Sequence, residues 1–295
     1  MKHLRNGLEL IVLFVLWLIA IVVVNGIPSF IIFTVKSLPL TAGSDFINYP
    51  WFTLLSHISS VIGTLLAVYF FFLLFGGKLK EIGFSPKGRV KDIGWGLLYG
   101  AGTILTGFLI LRIFGLISIE KGSVGFMTMF ICLISMFFAA AMEEILCRGA
   151  MINICLKYQN RAVAVIIPAL IFSVMHIFNN GFDWISCGNI FLAGIFMGIY
   201  YVFHRNLWLP TALHVAWNYV QGPVLGFAVS GAHTPQMITQ HQYGSELWTG
   251  GAFGFEGSLL GLILLSVASV ILYFHFRKGQ NLKSEPKPET DHSHD

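Results

Sequence analysis

Residues 122–148 read GSVGFMTMFICLISMFFAAAMEEILCR, a run with no charged side chain as far as Met142, then two adjacent glutamates, then an arginine four residues after the second. About 20 apolar residues are enough for a helix to span the hydrocarbon of a bilayer. An ionisable group at such depth costs several kcal/mol unless it is paired or faces a cavity. The stretch therefore predicts a membrane helix, and its acidic step, close to one end, is a candidate for chemistry.

Working outward, runs free of Asp, Glu, Lys and Arg recur near 10–35, 53–77, 93–111, 122–142, 162–182, 184–203, 206–230 and 257–276. The chain is 56% hydrophobic and 11% charged, against roughly 25% charged in a soluble domain. The pattern predicts an all-α integral membrane protein of about eight transmembrane helices in one bundle, a single domain over residues 1–277. The composition turns polar over residues 278–295, which predicts a disordered tail. His292 and His294 in that tail could hold a metal only loosely. Asn25, Gly26 and Pro28 predict a kink or an end in the first run. Met1 to Arg5 precedes an apolar run too long for a signal peptide, and no small-residue cleavage site follows, so a retained first helix is expected.

The net charge of +4 comes from basic residues between apolar segments, where they orient a membrane protein rather than bind nucleic acid. Eight alternating spans put Lys2, Arg5, Lys78, Lys80, Lys87, Arg89, Lys91, Arg148, Lys157, Arg161, Arg205, Arg277, Lys278, Lys283 and Lys287 on one side. Only Lys36, Arg112 and Lys121 fall on the other. Cytoplasmic loops are enriched in Lys and Arg, so both termini are expected in the cytoplasm. Cys132, Cys147, Cys155 and Cys187 show neither a CxxC pair nor a zinc spacing and read as free thiols. Gly96 with Gly100, and Gly194 with Gly198, stand four apart within apolar runs and predict close backbone packing.

Three polar constellations stand out. Glu144 and Arg148 share a helix face and can pair, while Glu143 points about 100° away and stays available for general-base work; an interfacial salt bridge is the plainer reading. Phe172-Ser-Val-Met-His176 places a histidine in an apolar span, as a catalytic group or as a hydrogen-bonded packing residue. His214-Val-Ala-Trp-Asn218 places two donors on one face, suited to a carbonyl oxyanion or to an interhelical hydrogen bond. If the fifth helix begins near Pro168, a favourable first-turn residue, Glu143, His176 and His214 share one depth. His57 lacks a partner at comparable spacing, and Asp183, Glu246 and Glu256 read as solvated or local residues near external loops.

Glu143-Glu144-xxx-Arg148, Phe172-xxx-His176 and His214-xxx-Asn218 resemble, in order, the three motifs of the CPBP intramembrane proteases, a family that includes type II CAAX prenyl endopeptidases and bacterial enzymes of bacteriocin processing or self-immunity. The resemblance covers roughly residues 120–230. It implies an endopeptidase acting on a membrane-associated peptide or protein, in a bilayer that is expected to be a bacterial plasma membrane. It further implies that Glu143 activates water with His176, that His214 and Asn218 stabilise the oxyanion, and that Glu144 and Arg148 hold the first carboxylate. The family has also been described as metal-dependent, and zinc on Glu143, His176 and His214 is the metalloprotease-like alternative. The absence of an HExxH pair, and Asn218 being a better oxyanion donor than zinc ligand, favour a mechanism that requires no cofactor. Two other classes fit the residues: a proton- or cation-coupled transporter using Glu143, His176 and His214, and a non-catalytic membrane scaffold or immunity protein.

Overall fold

The computed structural model describes residues 2–36 and 50–277. The polar tail expected after Arg277, with His292 and His294, lies outside them. Each of the eight apolar runs contains a helix: α1 (Lys2–Lys36), α2 (Pro50–Phe75), α3 (Val90–Ile113), α4 (Phe126–Leu156), α5 (Arg161–Val174), α6 (Trp184–His204), α7 (Trp208–Tyr219) and α8 (Leu259–Arg277). Among the described residues, six of them, α1 to α4, α6 and α8, are long and apolar enough to cross a membrane. Broad apolar faces, including Val22 on α1, Phe70 and Leu74 on α2, and Ile271 and Phe274 on α8, are exposed. Patches of that extent suit lipid rather than water, and the protein is a multi-pass membrane protein.

The fifth and seventh runs fall short of the expected spans. α5 has 14 residues, about 21 Å at 1.5 Å per residue, against a hydrocarbon core of about 30 Å. It begins at Arg161, where the Asn160 side chain accepts from Val163 N at 2.9 Å. Pro168 therefore lies inside the helix rather than at its start. α7 has 12 residues and passes into a π-helical turn at Val220–Val224, which includes Pro223.

The first helix does not end near Asn25, as one of the two expectations had it: α1 is continuous from Lys2 to Lys36. Asn25 donates to Ser60 Oγ at 2.9 Å and accepts from Ser56 Oγ at 3.3 Å, both on α2. In an apolar medium a polar residue does better satisfied by a neighbouring helix than by breaking its own. Trp17 Nε1 adds a bond to Thr64 Oγ1 at 3.0 Å.

Glycines set the closest helix contacts, as their spacing predicts. A Cβ on Gly96 would lie 2.5 Å from the Leu209 carbonyl oxygen, and one on Gly100 would collide with that of Leu213, so α3 rests directly on the backbone of α7. Gly194 on α6 meets Ala169 on α5 in the same way, at 2.8 Å. One departure from a wholly helical fold is a two-stranded antiparallel sheet, in which β1 (Ile117–Lys121) pairs with β2 (Ile238–Gln242), Ile117 opposite Gln242. It joins the end of α3 to the long segment after α7. The four cysteines are free.

Candidate active site

α4 is α-helical through Glu144 and π-helical from Ile145 to Ile152 before a last α turn. α7 makes the same transition directly after Tyr219. Single π turns inside α-helices recur at functional sites because the extra residue re-aims the side chains beside it. Here α4 changes winding directly after Glu143 and Glu144, and α7 one residue beyond Asn218.

Glu144 is fully buried and Arg148 is 2% exposed. Arg148 Nη1 donates to Glu144 Oε1 at 2.8 Å, and Nη2 reaches the Gly194 carbonyl at 3.4 Å. The expected pairing of these two residues holds. Its purpose differs from the expectation, because Glu144 turns to His214 rather than supporting Glu143: His214 Nδ1 donates to Glu144 Oε1 at 3.0 Å. A carboxylate can only accept here, so Nδ1 carries the proton and the Nε2 edge of the ring is what the site presents. Nε2 lies 3.6 Å from Glu143 Oε2. The two adjacent glutamates thus face the two nitrogens of one imidazole, and Glu143 is the more open of them, with 21% of its side chain exposed.

His176 follows the end of α5, in a turn in which its N–H donates to the Ser173 carbonyl at 3.1 Å. Its Nδ1 donates to the Phe172 carbonyl at 2.8 Å, which again fixes the proton on Nδ1 and leaves Nε2 as the working nitrogen. Phe172 lies at the centre of the cluster: the Arg148 guanidinium stands 4.6 Å from its ring centroid, the His176 ring 4.9 Å and the His214 ring 6.2 Å, both imidazoles edge-on. A residue read from sequence only as part of a motif is therefore the packing hub. Asn218, one turn beyond His214, is buried, and its side chain makes no hydrogen bond to the described residues, so its amide remains available.

Two expectations about neighbouring residues need correction. His57 has a partner, since its Nδ1 lies 2.8 Å from Ser135 Oγ on α4. Glu256 is neither solvated nor merely local: it is 6% exposed and accepts from Trp217 Nε1 at 2.9 Å and from Ser230 N and Oγ at 2.8 Å each. Through Trp217 it is tied to the helix that carries His214 and Asn218. The available signal was one carboxylate in the apolar, glycine-rich stretch Gly250-Gly-Ala-Phe-Gly-Phe-Glu-Gly257, with no cation near it in sequence. Asp183 is local as expected, capping α6 through Ser186 N at 2.8 Å.

Residues 125–220 match the family model for type II CAAX prenyl endopeptidase Rce1-like proteins, a segment that holds every residue of the cluster except Glu256 and Ser230. Over this segment the chain is similar to the CPBP family, and the match supports the resemblance of the three motifs. No curated protein matches the chain at a significant level. Among the described residues no three His, Cys, Asp or Glu side chains are gathered so as to hold a metal ion. Glu143 Oε2 and His214 Nε2, 3.6 Å apart, stand at a separation two ligands of one zinc could take, but no third His, Cys, Asp or Glu side chain of the described residues, His176 included, completes a set with them.

Proposed function

We propose that this CPBP-like protein is an intramembrane endopeptidase that hydrolyses a peptide bond in a membrane-associated peptide or protein, in a bacterial cell membrane with both of its termini in the cytoplasm. The observation that carries the reading is the division of labour around His214: Glu144, neutralised by Arg148, holds one ring nitrogen at 3.0 Å, and Glu143 faces the other at 3.6 Å with no cation of its own. A structural salt bridge needs only one glutamate. The second, partly exposed and facing His214 Nε2, is free to take a proton.

In the reaction, Glu143 removes a proton from a water molecule, assisted by His176 Nε2, and the resulting hydroxide adds to the scissile carbonyl. His214, as an imidazolium whose Nδ1–H stays on Glu144, donates from Nε2–H to the oxyanion that forms, and the Asn218 amide donates beside it. As the oxyanion collapses, the C–N bond breaks and the proton held at the base passes to the leaving amine, giving a new carboxyl and a new amino terminus. Glu144 and Arg148 do not touch the substrate. They fix the ring of His214, so that its single remaining nitrogen points where charge develops.

The test is cleavage of membrane-tethered peptides by the purified wild type beside Glu143→Ala, both confirmed as folded. Wild type is expected to release product and Glu143→Ala to lose about 10²–10⁴-fold in kcat, the usual worth of a general base. A chelator is expected to leave the wild-type rate unchanged. Equal cleavage by both proteins would overturn the role of Glu143. A pH-driven ion flux through proteoliposomes, lost in Glu143→Gln, would replace the protease reading with transport.

A further inference from the structure

Hydrolysis consumes one water per bond, and the hydrocarbon around this bundle holds none. A protease buried in a membrane must therefore keep water within the protein. Between α5, α6, α7 and α8 lies a cavity whose polar lining is His176, His214, Ser230 and Glu256. Its walls are otherwise apolar and include Ala193 and Met197 of α6.

The cavity offers about 20 Å³ to the centre of a water-sized sphere. On that measure about 10–15 Å³ admits one water, which also needs two to four polar partners. The space is too small for a substrate side chain. It is large enough for one water, and its polar lining can supply that water's partners.

Two of these groups have hydrogen-bonding capacity left over. His176 has committed only Nδ1. Glu256 accepts three bonds, from Trp217 Nε1 and from Ser230 N and Oγ, whereas an ionised carboxylate has about four acceptor positions. Ser230 holds φ +46°, a left-handed conformation that a non-glycine residue keeps only when its surroundings fix it, and here Glu256 takes both its N–H and its hydroxyl.

We propose that this cavity is a structural water site that supplies the hydrolytic reaction, with Glu256 and Ser230 retaining a water within reach of His176. The inference rests on the protease reading and extends it to residues outside the family-matched segment. Glu256 is then a positioning residue that acts through water rather than on the peptide.

The experiment fills the cavity from α6 with Ala193→Leu. Cleavage is expected to fall at least about tenfold in kcat with KM unchanged, as for a loss confined to the chemical step. Glu256→Gln, which nearly preserves shape and so guards against misfolding in the first variant, is expected to lower kcat by a smaller factor, again without a change in KM. X-ray hydroxyl-radical footprinting supplies an activity-independent readout: Met197 and Trp217 should be labelled in wild type, and Met197 protected in Ala193→Leu. Wild-type kcat in folded Ala193→Leu, or a rise in KM alone, would overturn the proposal, the second result marking a substrate pocket instead. Unlabelled Met197 and Trp217 in wild type would overturn it as well. If wild type cleaves nothing, the protease reading fails, and with it the role of supplying hydrolysis, while the footprint still decides whether water occupies the cavity.

Discussion

Two buried carboxylates reach α7 within one turn of each other, Glu144 at His214 and Glu256 at Trp217. Glu144 is matched by a charge, the Arg148 guanidinium at 2.8 Å. Glu256 is matched only by neutral donors: an indole N–H, a backbone N–H and a hydroxyl. The first arrangement is local, i to i+4 on one helix. The second closes contacts of 39 and 26 residues along the chain. A charge pair fixes orientation at a high cost if either member is lost, whereas a set of neutral donors shares the load and loses it by degrees.

The largest expected effect follows from that contrast. Arg148→Ala leaves Glu144 fully buried with His214 as its remaining partner, since Oε2 of Glu144 has none among the described residues. Removing one member of a buried pair typically costs about 3–5 kcal/mol. Chemical unfolding in detergent should show a loss of that size, together with a fall in cleavage as the His214 ring is freed. A loss below about 1 kcal/mol would mean that the carboxylate has found water or a proton instead.

Glu256→Ala should cost less. It strands the Trp217 indole N–H and the Ser230 amide, each about 1–3 kcal/mol if left without a partner, but the glycine-rich segment around them can shift to recruit water. A total near 2–3 kcal/mol on the same unfolding scale is expected, with Ser230→Ala well below it because two of the three donors remain. If Ser230→Ala were as damaging as Glu256→Ala, the load would not be shared and the contrast with Glu144 would fail.

The same contrast explains how much could be read from the chain. The Glu144–Arg148 pair was legible because helix periodicity converts a spacing of four into a shared face. The α3–α7 and α5–α6 contacts were legible for a similar reason: small residues four apart mark where backbones meet. Eight helical segments followed from eight apolar runs. What was hidden depended on tertiary closure. Nothing near His214 in sequence indicates that Glu144 takes its Nδ1, and nothing near Glu256 indicates Trp217. The early end of α5, which puts His176 in a turn, and the π turns after Glu144 came from packing rather than from any local breaker, as did continuity of α1 through Asn25, whose amide is satisfied by α2, whereas the π turn after Tyr219 coincides with Gly222 and Pro223. Pro168 misled because its first-turn preference is weaker than the cap that Asn160 supplies eight residues before it.

The smallest effect is expected where the two carboxylates share a support. α7 meets Glu144 and Glu256 correctly only because α3 lets it approach, and Gly100 leaves no room for a Cβ against the Leu213 carbonyl, whereas a Cβ on Gly102, on the same helix, meets nothing within 4 Å. Gly100→Ala must push α7 outward at the residue before His214, which overpacking values place at about 1–3 kcal/mol. Gly102→Ala should be neutral or slightly stabilising, within about 1 kcal/mol, because alanine is the better helix residue. If α7 is the common support, Gly100→Ala should also lower cleavage by more than its stability loss accounts for, and Glu256→Ala placed on top of it should add less than it costs in the wild type, since the Trp217 contact is already displaced. Full additivity of the two would show instead that the Glu256 clamp is independent of the α3–α7 contact.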